Sequence, residues 1–143
     1  MLTTEIYTDA IPELFSRFSQ VIGEQYWLKR AKLRKEAIKG NPFLREHIMI
    51  EDDIAFQLDR LSRLAKTYGG SVPLEVAKSR DIYPAAAFVA QVLSFVDTLP
   101  NLEKERFCRR VRGCFRNPDD MRGLLLEMCV ATHFIRRGKH VTW

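Results

Sequence analysis

The stretch IYPAAAFVAQVLSFVDT, residues 82–98, decides the fold class that the sequence predicts. Apolar and small residues fill nearly every position of this stretch, so a helix over 82–98 has almost no polar face. Pro84 lies in its first turn, where the missing backbone N–H costs nothing. Because a helix that is apolar all round has to be buried, we expect 82–98 to be the central helix of a bundle.

Capping residues, prolines and glycines mark the predicted helix starts and ends along the rest of the chain. Asn41-Pro42 and Asn117-Pro118 each offer a capping side chain followed by a proline, and Gly138 is suited to end a helix. The predicted helices are 9–22, 24–39, 42–49, 52–68, 72–80, 82–98, 101–116 and 118–137. Strand signals are nearly absent before residue 139. The sequence therefore predicts an all-α fold, an irregular bundle of seven to eight helices with a short extended segment at 139–143.

The last part of the chain bears on domain organisation. The helix predicted at 118–137 is apolar over most of its circumference, so one face can pack on the other helices and the opposite face needs a further cover. Residues 139–143 have the pattern of a strand, and a lone strand has no partner for its backbone groups. We therefore predict a helical domain at 1–116 and the start of a truncated following domain at 117–143. Its cover is expected to be a missing C-terminal domain or a second subunit, as in a homodimer.

Composition bears on location and partners. The 143 residues include 23 basic and 18 acidic side chains, and the formal charge of +5 permits an anionic partner without requiring one. No apolar run is long enough for a membrane span and no secretory signal is visible, so we expect a cytoplasmic location and no membrane partner. Cys108, Cys114 and Cys129 lie in apolar helical patterns and are expected to be reduced core thiols.

The helix predicted at 101–116 carries the clearest charge pattern. Four arginines share one side of it, opposite an apolar stripe: Arg106, Arg109, Arg112 and Arg116. Guanidinium groups suit phosphate oxygens, so this arginine face predicts a nucleic-acid-binding surface. The alternative is a solvated face that Glu103 and Glu105 partly neutralise, as charge runs more often are.

A second basic run, residues 29–39, spreads around its helix and does not form one stripe. Tyr26 and Trp27 adjoin this run and are candidates for stacking on a base. Aromatic residues at helical spacing belong more often to the core, so both interpretations stay open.

The spacing that metal sites need is missing. Cys129 and His133 lie four residues apart on one helix, but no paired CxxC or HExxH motif exists, and we expect no metal site and no cofactor. Glu127 is a separate case because it is an ionisable residue midway along an apolar helix. Such a group needs a partner, an ion or solvent. A salt bridge to an arginine and a functional role are both open.

Residues 117–127 and 131–141 together carry a family resemblance. Their order, a helix that bears Glu127, then Arg137-Gly138 and a strand, resembles the beginning of the PD-(D/E)XK nuclease-like fold. The resemblance implies that Glu127 is the helix glutamate near the metal site and that the preceding residues form an accessory helical domain. The aspartate and the (D/E)-X-K triplet of that family have no counterpart here. The resemblance therefore implies a chain that is inactive as a nuclease by itself.

Three functions follow as alternatives. The first is a non-catalytic accessory domain that positions a larger, nuclease-like protein or contacts its partner. The second is a nucleic-acid-binding helical module that uses the arginine face. The third is a protein-interaction or dimerisation domain built on the apolar side of 118–137. In none of them does this chain supply a catalytic residue, unless the resemblance gives that role to Glu127.

Overall fold

The computed structural model describes residues 6–41, 43, 50–69, 71–78, 82–117 and 120–143, without the side chains of 50–53. Seven α-helices lie in this described part of the chain: α1 (Ile11–Ile22), α2 (Gln25–Gly40), α3 (Ile50–Tyr68), α4 (Leu74–Ala77), α5 (Tyr83–Thr98), α6 (Asn101–Cys114) and α7 (Asp120–Arg136). The predicted all-α fold is confirmed. The helix predicted at 42–49 falls outside the described residues, except for Phe43. The helix predicted at 72–80 is shorter, as α4, and its last two positions also lie outside them.

Helix α5 is the central helix, as the sequence predicts. It packs against α1, α3 and α6, and nine of its sixteen residues are buried. Its N-terminus is tied to α3, because the backbone N–H of Ala85 donates to the side-chain oxygen of buried Gln57, over 3.0 Å. A helix without a polar face can only be stable when other helices cover it from several sides.

An aromatic cluster fills the core between α1, α2 and α5. Trp27 is fully buried, and its ring lies 5.2 Å from that of Phe18 and 5.9 Å from that of Phe15, between centroids. Phe18 also meets Phe88 of α5 edge to face at 5.9 Å. Trp27 is thus part of the core, and of the two aromatic candidates for base stacking only Tyr26 reaches the surface.

An ion-pair cluster joins α2 to α3 outside this core. The Lys35 ammonium lies 2.6 Å from the Asp59 carboxylate, and Arg63, one turn further along α3, also binds Asp59. Desolvation acts to raise the pKa of Asp59, but hydrogen bonds from the two cations outweigh it and hold that pKa below its ordinary value. Asp59 therefore stays charged and ties the two helices together at neutral pH.

The structure of the C-terminal residues contradicts the family resemblance. No strand occurs in the described residues, and 139–143 form no hydrogen-bonded ladder. The resemblance of 117–143 to a PD-(D/E)XK nuclease-like fold is therefore wrong, because that fold is built on a sheet and the regular structure of the described residues is all helical. A short run of strand-forming residues after a glycine was too weak a signal, since β-propensity mostly reflects the surface on which a segment packs. The predicted boundary between 116 and 117 stays a prediction.

None of the helices in the described part of the chain combines the length and the apolar content that a membrane span requires.

Truncation of Phe18 tests the aromatic cluster. We expect Phe18→Ala to lower the free energy of unfolding by about 3–5 kcal/mol, because the ring is fully buried and leaves a cavity between α1, α2 and α5. Urea unfolding followed by circular dichroism measures this change. Leu102→Ala, at a residue 62% exposed on α6, is the control and should change it by no more than about 0.5 kcal/mol. A loss below about 1 kcal/mol for Phe18→Ala would contradict the described packing.

Candidate functional site

The C-terminal segment is fixed to the helices by its last residue. Gly138 (φ 69°) ends α7 in a left-handed conformation; its N–H and that of Lys139 donate to the carbonyls of Ile135 and Phe134, over 2.9 and 3.0 Å. This arrangement is a Schellman cap. The chain then turns back along α7, and the Trp143 ring lies 4.6 Å from Phe107 and 5.5 Å from Phe95, between centroids.

A buried carboxylate completes this attachment. Glu103, in the first turn of α6, is only 8% exposed, and one of its oxygens accepts the backbone N–H of Trp143 over 2.6 Å. The other oxygen accepts from the Arg106 guanidinium over 3.1 Å. A buried carboxylate needs such donors on both oxygens. The sequence does not reveal this role of Glu103, which was expected on a solvated face, because its partner Trp143 is 40 residues away.

Helix α7 has two apolar faces, and the described residues cover only one of them. Its buried residues, which belong to the main core, are Met121, Leu124, Met128 and Ala131. On the other side Leu126, Val130 and Phe134 follow one another at four-residue spacing and are 66%, 47% and 47% exposed. We call these three side chains the α7 stripe. These three large side chains form one row of exposed apolar surface along α7.

The α7 stripe forms one wall of a groove. Val141, Thr142 and Trp143 form the opposite wall, and the groove encloses about 610 Å³. Its lining is mostly apolar, and the Arg110–Glu127 pair supplies its charged groups. The groove exists because the Schellman cap and Glu103 hold the C-terminal segment beside α7. We call it the C-terminal groove.

Glu127 is held by Arg110 of α6. The carboxylate accepts two hydrogen bonds from this guanidinium, over 3.0 Å to Nε and 2.9 Å to Nη2. Hydrogen bonding to Glu127 raises the pKa of Arg110, and the Asp120 carboxylate 3.8 Å away adds to the effect. No three metal-ligating side chains come together within the described residues. The geometry of Glu127 is therefore that of a fork-to-fork ion pair between α6 and α7.

The four predicted arginines do not form one free row. Arg112 donates to the carbonyls of Val21 and Ile22 over 2.7 and 2.9 Å, and so satisfies acceptors at the C-terminal end of α1. Arg106 is paired with Glu103, as described above. Arg109 and Arg116 are exposed. The nucleic-acid-binding role of the arginine face stays a prediction, and two of its four members have structural partners.

Arg116 belongs to a second groove, between the start of α2 and the end of α6. Its guanidinium carbon lies 5.3 Å from the centre of the Tyr26 ring. Lys29, Arg30 and Leu33 of α2 line the same space, which measures about 540 Å³. We call it the basic groove. The sequence could not show that the second basic run and the end of the arginine face meet here.

The cysteines differ in exposure. Cys108 and Cys114 are buried, and burial raises the pKa of both thiols above the ordinary value. Cys129 lies exposed on α7, outside the C-terminal groove, so the expectation of a core thiol is wrong at this position. The helix is apolar on too much of its surface for the sequence alone to say which side faces inward.

No known family model, curated protein or solved structure matches this chain.

A double-mutant cycle of Arg110→Gln and Glu127→Gln tests the structural account of Glu127. We expect a coupling of about 0.5–1 kcal/mol in urea unfolding, because the pair is bidentate but partly exposed. The coupling should shrink in high salt. If Mg²⁺ or Mn²⁺ raised the unfolding midpoint of the wild type but not of Glu127→Gln, Glu127 would be a metal ligand and this account would be contradicted.

Proposed function

We propose that this chain is a non-catalytic helical interaction module that pairs with a second copy of itself through the C-terminal groove. The observation that carries the proposal is the α7 stripe, three exposed apolar side chains in a row beside a preformed groove. Burying such a row against another helix removes apolar surface from water, which is the main driving force of association. The dimerisation function expected from the apolar side of 118–137 has its support here.

Length and symmetry favour a second copy as the occupant. The stripe runs over nine residues, 126–134, which is about 12 Å of helix, and the same stripe on another copy has the same length. In an antiparallel pair centred on Val130, Leu126 of each copy packs near Phe134 of the other. Each contact then occurs twice, which is the self-complementarity that a twofold interface requires.

Charge favours the antiparallel direction. Arg136, Arg137 and Lys139 lie exposed at the C-terminal end of α7. The N-terminal half of α7 is less basic, because the cations Arg110 and Arg122 are offset there by the carboxylates of Asp120 and Glu127. A parallel pair brings the two groups of three cations together, whereas an antiparallel pair sets each group against the less basic end of the other copy. Like-charge contacts across an interface are costly, and antiparallel helix dipoles attract.

An accessory role is kept within this proposal. A dimer of such modules fixes the distance between the domains that are linked to each copy. This positioning role needs no catalytic group in the chain. The cytoplasmic location expected from the sequence is also kept as a proposal.

Substitution of Val130, at the centre of the stripe, tests the pairing. We expect the wild type to show twice the chain mass of 16.7 kDa in sedimentation equilibrium at the upper end of a concentration series, and Val130→Glu to stay at the mass of one chain. A carboxylate in the middle of an apolar interface has no partner and opposes association.

Leu74→Glu is the matched control, because Leu74 is 56% exposed on α4 and does not line the C-terminal groove. It should associate like the wild type. A wild type that has the mass of one chain at every concentration would overturn the second copy as occupant. Equal weakening by Leu74→Glu would overturn the assignment of the interface to α7.

A further inference from the structure

The basic groove shares no lining residue with the C-terminal groove. Three cations, Lys29, Arg30 and Arg116, line it, and no carboxylate is found among its described lining residues. Cations of one sign in a concave site create a positive potential that attracts anions. The basic groove also includes Arg116, one of the exposed members of the arginine face.

The second feature of this groove is a flat platform. The Arg116 guanidinium lies over the Tyr26 ring, 5.3 Å from carbon to ring centre, and Tyr26 is itself partly buried. The ring therefore limits where Arg116 can point. Nucleobases stack on both aromatic rings and guanidinium planes, and this stacking is tolerant of base identity.

We propose that the basic groove binds single-stranded nucleic acid. Phosphates contact Lys29 and Arg116, and one base lies against the Tyr26–Arg116 stack, with Leu33 at its apolar edge. The volume of about 540 Å³ falls in the range of roughly 300–1,000 Å³ that is typical of sites for small ligands, so it takes a nucleotide unit. A duplex, with its bases stacked inside, reaches such a groove only with its outer phosphates.

Binding of a fluorescein-labelled oligo(dT) of twelve nucleotides, followed by fluorescence anisotropy, tests the proposal. We expect affinity to fall with salt at a log–log slope of about −1.4, as two phosphate contacts imply for a single strand. Lys29→Glu should weaken binding by about tenfold or more and make the slope shallower. Tyr26→Leu should weaken binding by roughly 5- to 150-fold and leave the slope unchanged, because it removes stacking and no charge.

Controls separate this site from general charge attraction. Lys78→Glu makes the same change of charge at an exposed lysine outside the groove and should bind nearly as the wild type does. Arg116→Lys keeps the charge, loses the planar stack, and should weaken binding. Equal losses for Lys29→Glu and Lys78→Glu, or an unchanged affinity for Tyr26→Leu, would overturn the proposal.

The same anisotropy measurements separate single-strand binding from binding of other phosphate compounds and from dimerisation. AMP should compete only at far higher concentration than the unlabelled oligonucleotide, and a self-annealed duplex of equal length should bind more weakly. Phosphatidylserine vesicles that bind in a Lys29-dependent way, with no binding of the oligonucleotide, would assign the groove to lipid headgroups and overturn the proposal. Val130→Glu should leave the intrinsic affinity per chain unchanged, so failure of dimerisation and failure of this site are read separately.

Discussion

Helix α7 is apolar around more of its circumference than one helical core can cover, and the architecture of the C-terminal region follows from that constraint. Met121, Leu124 and Met128 close the core over α3 and α6. A helix has one buried face in a bundle, so the residues on the other side of α7 need a second cover or stay in water. In the described part of the chain the α7 stripe stays exposed, and the C-terminal segment forms a groove beside it.

The groove depends on how a short irregular segment is held. A segment without secondary structure has to satisfy its backbone groups individually. Here the Schellman cap ends α7. Glu103 accepts a hydrogen bond from the backbone N–H of Trp143, and the Trp143 ring packs against Phe95 and Phe107. Glu103 has a double role, because the same carboxylate holds Arg106. An arginine that looks like a surface charge in the sequence thus helps to fix the wall of the groove through a shared partner.

The helices were predictable, and their long-range side-chain partners were not. Capping residues, prolines and the apolar run at 82–98 act within a few residues, so the bounds of α1, α2, α5 and α6 agree with the predictions to within about two residues. Glu103 with Trp143, Arg112 with Val21 and Arg116 with Tyr26 join positions from 40 to 91 residues apart. The local sequence pattern contains no information on such long-range side-chain contacts. The predicted strand failed for the same reason, since tertiary contacts with Phe95 and Phe107 set the conformation of Trp143.

The central claim is that α7 pairs with α7 of a second copy in the antiparallel direction. A nitroxide attached to Cys129 of the unmodified chain tests it most directly, because Cys129 is exposed and outside the groove while the other two thiols are buried. The account predicts one narrow distance between the labels of two copies, on the order of 20 Å or less, since packed helix axes lie about 8–10 Å apart and Cys129 adjoins the centre of the pair. Absence of dipolar coupling between copies, or a distance far beyond this range, would contradict the claim.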